Sequence, residues 1–256
     1  MMSGSLFHRT AAALFALLSA LLAAYPSSSA QSEPKVAVVA FGLFGDQSVF
    51  ESEAKGAAGI AASRFGGTSV IVRANTKTRD DASVRTLATT LQTAAARMDA
   101  ENDVLVLILT SHGSPAGLAV QAGSRNEMLS PVVLAALLAR TGVRHRIVIV
   151  SACYSGVFIP ALANPDTLVI TAADAKHPSF GCQDGAQWTY FGDAFFNTAL
   201  RRTANLKEAF AAARILVRKR ERQHGFAASN PQMAGGENIA RLLRGQSIAT
   251  VPSAKR

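Results

Sequence analysis

Asp103–Thr110 reads DVLVLILT and runs without a break into Ser111-His112-Gly113. Arg146–Ser151 reads RIVIVS, and its last residue opens the stretch Ser151-Ala152-Cys153-Tyr154-Ser155-Gly156. Both are short, nearly continuous apolar runs, the pattern of strands covered on both faces of a parallel sheet. Lys35–Gly42 (KVAVVAFG), Thr68–Arg73 (TSVIVR) and Thr167–Ala172 (TLVITA) repeat it. Between them the period turns helical. Ser48–Phe65 puts Phe50, Ala54, Ala57, Ala58 and Ala61 on one face before Gly66-Gly67 stops it, and Ser83–Met98 aligns Leu87, Leu91, Ala94, Ala95 and Met98. Pro131–Arg140 is a third, shorter helix, and Gly117–Leu129 breaks the pattern as a small hairpin on a long crossover. Such alternation predicts an α/β fold, a mostly parallel sheet with helices on both faces.

The rest of the composition narrows the class. With 256 residues, 49% hydrophobic and 17% charged, the chain suits one ordinary domain and is not disordered. Two cysteines exclude a disulfide scaffold and any zinc site built from three or four thiolates. No cofactor or metal is expected. Residues 1–30 have His8 and Arg9 ahead of an apolar run, Ala11–Ala24, and end in Ser28-Ser29-Ala30. Fourteen helical residues span about 21 Å, short of the roughly 30 Å hydrocarbon layer. The segment reads as a secretory signal cleaved near Ala30, giving a periplasmic or secreted product. An uncleaved anchor is the other reading. Residues 31–245 then form the domain and 246–256 a polar tail.

In open α/β sheets, ligands bind beyond the carboxyl ends of the strands, at a switch in strand order. His112 and Cys153 both stand there, each just past an apolar strand. Neighbouring strands lie about 4.8 Å apart, so an imidazole and a thiol at adjacent strand ends can meet. A His–Cys pair lowers the thiol pKa from about 8.5 into the range of about 3.5–7.5, which makes a nucleophile at neutral pH. Gly113 lets the chain turn sharply, and its N–H can join that of Cys153 as an oxyanion hole. Alone, Cys153 is a small core residue and His112 a turn residue; their joint placement is what favours chemistry. His145 falls at the start of its strand, the wrong edge. His177 lies in a loop with no matching thiol, His224 ends a charged helix, and His8 leaves with the signal.

The pair SHG and SACYSG resembles the His-Gly and Ala-Cys motifs of the caspase-fold cysteine peptidases. Thr171-Ala172-Ala173 with Ser179-Phe180-Gly181-Cys182, and then Thr189-Tyr190-Phe191-Gly192-Asp193, are similar to later segments of the legumain-like family, which includes the lipid-anchor transamidase subunit. The resemblance spans Val36 to Asp193. It implies a caspase-like three-layer sandwich, Cys153 as nucleophile, His112 as general base, an oxyanion site at Gly113 and Cys153, and a peptide or protein substrate.

The departures bear on specificity. Where the family carries Asn-Gly after the first strand, this chain has Phe41-Gly42-Leu43-Phe44-Gly45, so the residue orienting the histidine is not visible and Asp46 is a weak substitute. The family's Glu two positions before the nucleophile is Ser151, and the basic residues beside Asn-Gly are absent. Ser151, Ser179 and Asp193 remain as pocket positions. One carboxylate, Asp193, implies a basic or amide side chain before the cut bond. Asp193 also reads as a helix N-terminal charge.

Removing Arg9 with the signal lowers the formal charge from +9 to +8, and the excess gathers late. Residues 201–222 hold Arg201, Arg202, Lys207, Arg214, Arg218, Lys219, Arg220 and Arg222 against Glu208 and Glu221. Asn205-x-x-Glu208 opens a helix whose buried stripe is Leu206, Ala209, Phe210, Ala213 and Val217. The cations fall off that stripe, as a solvated face or as a contact with an anionic envelope surface. No aromatic interleaving supports nucleic-acid binding. Three readings stand: an exported cysteine endopeptidase, possible also as a transpeptidase; a catalytically silent caspase-fold binding protein; and a basic envelope-binding module.

Overall fold

Alternate side chains of each central strand enter two separate cores. The structure, a computed structural model, describes residues 33–244; the proposed signal and the tail lie outside the described residues. Strand β1 (Val36–Gly42) sends Val36, Val38 and Ala40 to one core and Ala37, Val39 and Phe41 to the other. Strand β3 (Val104–Thr110) divides Val104, Val106 and Ile108 from Leu105, Leu107 and Leu109 in the same way. Every residue of both strands is buried. That is why these runs are apolar throughout rather than alternating.

The first core is closed by helix α1 (Ser48–Phe65), by α5 (Tyr190–Gly192, continuing as a π-helix over Asp193–Leu200), by α6 (Leu206–Gln223) and by Ile239 of α7 (Glu237–Arg244). The second is closed by α2 (Val84–Ala95), α3 (Pro131–Arg140) and the short α4 (Ile159–Leu162). The result is the expected three-layer α/β sandwich. Capping follows local chemistry: Ser83 and Thr86 form a reciprocal capping box on α2, Ser130 caps α3 ahead of Pro131, and Asn205 Oδ1 accepts from the amides of Lys207 and Glu208.

The main sheet runs β2-β1-β3-β7-β8-β9, with β2 at Gly67–Ala74, β7 at His145–Ser151, β8 at Thr167–Thr171 and β9 at Gln232–Ala234. All pairings are parallel except β8 with β9. The crossover Gly117–Leu129 is the expected hairpin, β5 (Gly117–Ala122) against β6 (Arg125–Leu129), joined by the two-residue β4 (Gly113–Ser114). Among the described residues no helix is long and apolar enough to cross a membrane. Because the chain leaves β1 for β2 on one side and then fills β3, β7 and β8 on the other, the switch in order falls between β1 and β3. The carboxyl ends of β1, β3 and β7 therefore share one edge.

Candidate active site

The register of β3 on β7 brings the two motif loops together. Thr110 pairs with Ser151 at the ends of the strands, and the Ser111 amide still reaches the Ser151 carbonyl at 3.3 Å. His112 and Cys153 thus leave neighbouring strands two residues past the same rung. Contact between the loops is intimate at Gly113. A Cβ there would lie 2.1 Å from the Cys153 carbonyl oxygen and 3.2 Å from Ala152 Cβ, so only glycine fits.

His112 is half-buried between two rings, edge-on to Phe44 at 4.6 Å and to Phe50 at 5.1 Å between centroids. That burial pushes its pKa below the ordinary histidine value. Its Nε2 lies 2.5 Å from Gln47 Oε1. An amide oxygen only accepts, so this contact makes Nε2 the protonated nitrogen and leaves Nδ1 as the free base. Gln47 is the residue missing from the sequence reading. It occupies the N-cap position of α1 yet makes no capping bond, because its amide faces the imidazole instead. Asp46, the weak substitute, accepts from Gln121 Nε2 at 3.0 Å and is not the partner.

Cys153 stands at a sharp turn. Tyr154, next in the chain, has φ 55° and ψ 16°, a left-handed conformation uncommon for a bulky residue. Its N–H donates to the His177 carbonyl at 2.9 Å, and Ser155 Oγ accepts from the Ala173 amide at 3.1 Å. The loop of His177 is therefore laid against the nucleophile loop. The His177 side chain is held on Asp174 through Nδ1 at 2.7 Å. Ser179 completes the surroundings: its amide donates to Cys153 Sγ at 3.3 Å, its hydroxyl lies at 3.8 Å, and the thiol donates to its carbonyl at 3.2 Å. Among the described residues Sγ makes no hydrogen bond to His112, and the Cys153 N–H has no protein partner. Gly113 pairs with Leu118 one rung beyond the bonded His112–Ala119 position, where N–H and C=O point away from the partner strand. Cys182 is a second free, half-buried thiol, and burial pushes its pKa up.

A family model described as the peptidase C13 family matches residues 49–239. The chain belongs to the peptidase C13, or legumain, family. Caspase-1 from Spodoptera frugiperda is similar in fold, with a TM-score of 0.56 at 14% identity over 79% of this chain and 87% of that one. No curated protein sequence matches the chain. The protein is accordingly a cysteine peptidase with a caspase-like α/β fold, and its substrate is a peptide or protein.

Two features of this C13 peptidase were not legible beforehand. The first is Glu53 of α1, fully buried beneath the site. Thr110 Oγ1 donates to its Oε1 at 2.9 Å and the Thr189 amide to its Oε2 at 2.8 Å, with the hydroxyls of Ser151 and Thr189 alongside. It joins the ends of β3 and β7 to the Thr189–Asp193 turn. Where the family has a glutamate at position 151, this chain brings a carboxyl to Ser151 from a helix. Gly192 completes the fit, since a Cβ there would fall 2.0 Å from Glu53 Oε2. Burial raises the Glu53 pKa, against the pull of its hydrogen bonds.

The second feature concerns the charge of the expected pocket. Asp193 is not a free carboxylate. Arg220 Nη1 of α6 donates to its Oδ2 at 2.9 Å and Asn197 Nδ2 to its Oδ1 at 2.8 Å. The same guanidinium lies 4.5 Å over the Tyr190 ring. Ser151 is fully inside, with Oγ 3.2 Å from Thr189 Oγ1, so of the three pocket positions only Ser179 touches the thiol.

A raised carboxyl pKa favours the folded state fully below the unfolded value of about 4.3 and loses that contribution as pH climbs through the folded value. Glu53→Gln keeps an acceptor for the Thr189 amide and turns its own N–H to Thr110, whose hydroxyl then accepts instead of donating, without the charge. In denaturant melts it should match the parent near about pH 4.5 and exceed it increasingly toward about pH 8. Glu53→Ala should instead cost about 2–4 kcal/mol at either pH, because it strands buried donors.

Proposed function

We propose that this C13 peptidase is an exported endopeptidase working through a Cys153–His112 dyad. His112 Nδ1 takes the proton from Sγ, and the thiolate attacks the peptide carbonyl carbon. The oxyanion that forms is held by the N–H groups of Cys153 and Gly113. The imidazolium then gives its proton to the departing amine, leaving a thioester on Cys153. Water closes the cycle by hydrolysis; a second amine closes it by transpeptidation. The observation that carries this reading is the shared rung of β3 and β7, with Gly113 seated on the Cys153 carbonyl.

Other features support the individual roles. Gln47 selects the Nε2–H tautomer, the form a base acting through Nδ1 needs. The Ser179 amide, donating to sulfur at 3.3 Å, helps hold Cys153 Sγ in place beside the oxyanion donors. Export rests on residues 1–30, and sequencing of the secreted chain from Gln31 checks it, whereas a retained Met1 contradicts it. On the substrate side, Arg220 neutralises the carboxylate that would have favoured a basic side chain before the scissile bond. A neutral, hydrogen-bonding side chain suits the pocket better.

Cleavage of a peptide library checks the whole reading. Cys153→Ala should abolish turnover, His112→Ala should lower kcat/KM by about 10³–10⁴-fold, and Gln47→Ala by about 10-fold or more. With the His112 pKa lowered by burial, the base persists to lower pH, so the acid limb of kcat/KM should have its midpoint below about 6.5. Arg220→Gln should raise cleavage after Lys and Arg relative to neutral residues. Unchanged turnover in Cys153→Ala would overturn the assignment.

A further inference from the structure

Exposed cations without an ion-pair partner gather on one helix of the sandwich, α6. Beside α2 and α3, the flanking loops and β6 pair Arg125 with Asp80 and Glu127 and Arg144 with Glu101, while one exposed arginine on each helix, Arg85 and Arg140, makes no ion pair among the described residues. On α1, Lys55 pairs with Glu51, which also holds Arg79. On α6, Lys207, Arg214, Arg218, Lys219 and Arg222 are all exposed, and among the described residues none of them makes an ion pair. The one exposed acid of that helix, Glu208, is held at its N-terminal end by Asn205 Nδ2 at 3.1 Å and Thr203 Oγ1 at 3.0 Å. Across the same layer, a groove beside α1 is lined by Lys55, Ser63, Arg64 and Arg201.

In the middle of the cationic face sits an apolar side chain. Ile215 is 70% exposed. At helical spacing its neighbours are Ala211 and Ala212 one turn back and Arg218 and Lys219 one turn on, with Arg222 a turn further. An isoleucine left in water, edged by small residues and ringed by unpaired cations, matches the amphipathic surface of an interfacial helix. It does not match a single-stranded nucleic-acid face, which uses aromatic platforms between its cations. We propose that the exposed face of α6 docks the protein on an anionic phospholipid bilayer. Ile215 enters the headgroup boundary while Arg214, Arg218, Lys219 and Arg222 contact lipid phosphates. Arg220 takes no part, being committed to Asp193 and Tyr190.

Co-sedimentation of the full chain with phosphatidylglycerol and with phosphatidylcholine vesicles tests this. The apolar run Ala11–Ala24 is common to every variant and meets both lipids, so the readout is the difference between them. Preference for the anionic vesicles should fall steeply with salt. Each cation near such a surface is worth about fivefold in affinity. Replacing Arg214, Arg218, Lys219 and Arg222 by Gln together should therefore remove about 100-fold or more of the preference while leaving peptidase turnover and the melting transition unchanged. Ile215→Ser should weaken binding to anionic vesicles without altering its salt slope. Equal binding to both lipids, or a quadruple variant that still discriminates, overturns the proposal. So does a face that binds heparin with the same salt slope but is indifferent to Ile215→Ser on vesicles, which would assign it to a soluble polyanion.

Discussion

Everything at the site depends on the register between β3 and β7. These are parallel neighbours, buried on both faces, whose last paired residues are Thr110 and Ser151. A slip of one residue would turn every side chain of either strand to the opposite core. With both cores filled, no such slip is available, and the two loops are delivered to the same level. The Gly113 contact then fixes how they approach. A side chain there would meet the backbone of the nucleophile itself. The chemistry rests on a rigid sheet, with only the short loops left to shape it.

Around that frame, the active-site loops are tied to one another more than to solvent. The loop after β7 is held by the loop after β8 through Tyr154 to His177 and Ser155 to Ala173. Both are joined to the Thr189 turn through Ser151, Ser179–Phe180 and Tyr190. Glu53 lies under this convergence. A neutral carboxyl can both accept and donate, which suits a dry position surrounded by hydroxyls and an amide, whereas a charge there would need a cation, and among the described residues no Lys or Arg bonds to Glu53. The burial that raises its pKa also lowers that of His112. The two shifts favour an uncharged resting site.

The fold was largely readable because its elements are long or strongly apolar. The runs at 103–110 and 146–151, the helix at 48–65 and the hairpin at 117–129 all fell within a residue or two of their final limits. What escaped was short or non-local. Strand β9 has three residues, too few for any period, and the π-helix at Asp193–Leu200 has no sequence signature distinct from an α-helix. Glu53 sits 57 residues from Thr110 in the chain, and one glutamate in an alanine-rich helix carries no sign of what it will face. Gln47 had a fainter signal, as a hydrogen-bonding side chain in the first loop past the switch point. Arg220 was counted among surface cations because helical spacing shows which side a residue lies on, not which loop reaches it.

The central claim, that His112 activates Cys153, is tested most directly by iodoacetamide alkylation at about pH 7, with both cysteines followed by peptide mass spectrometry. Burial raises the pKa of Cys182, so that thiol is an internal reference of low reactivity. The structure predicts rapid modification of Cys153 well ahead of Cys182, and a fall of Cys153 toward the Cys182 rate in His112→Ala. Equal labelling of the two thiols in the parent protein, or a Cys153 rate untouched by loss of the imidazole, would contradict it.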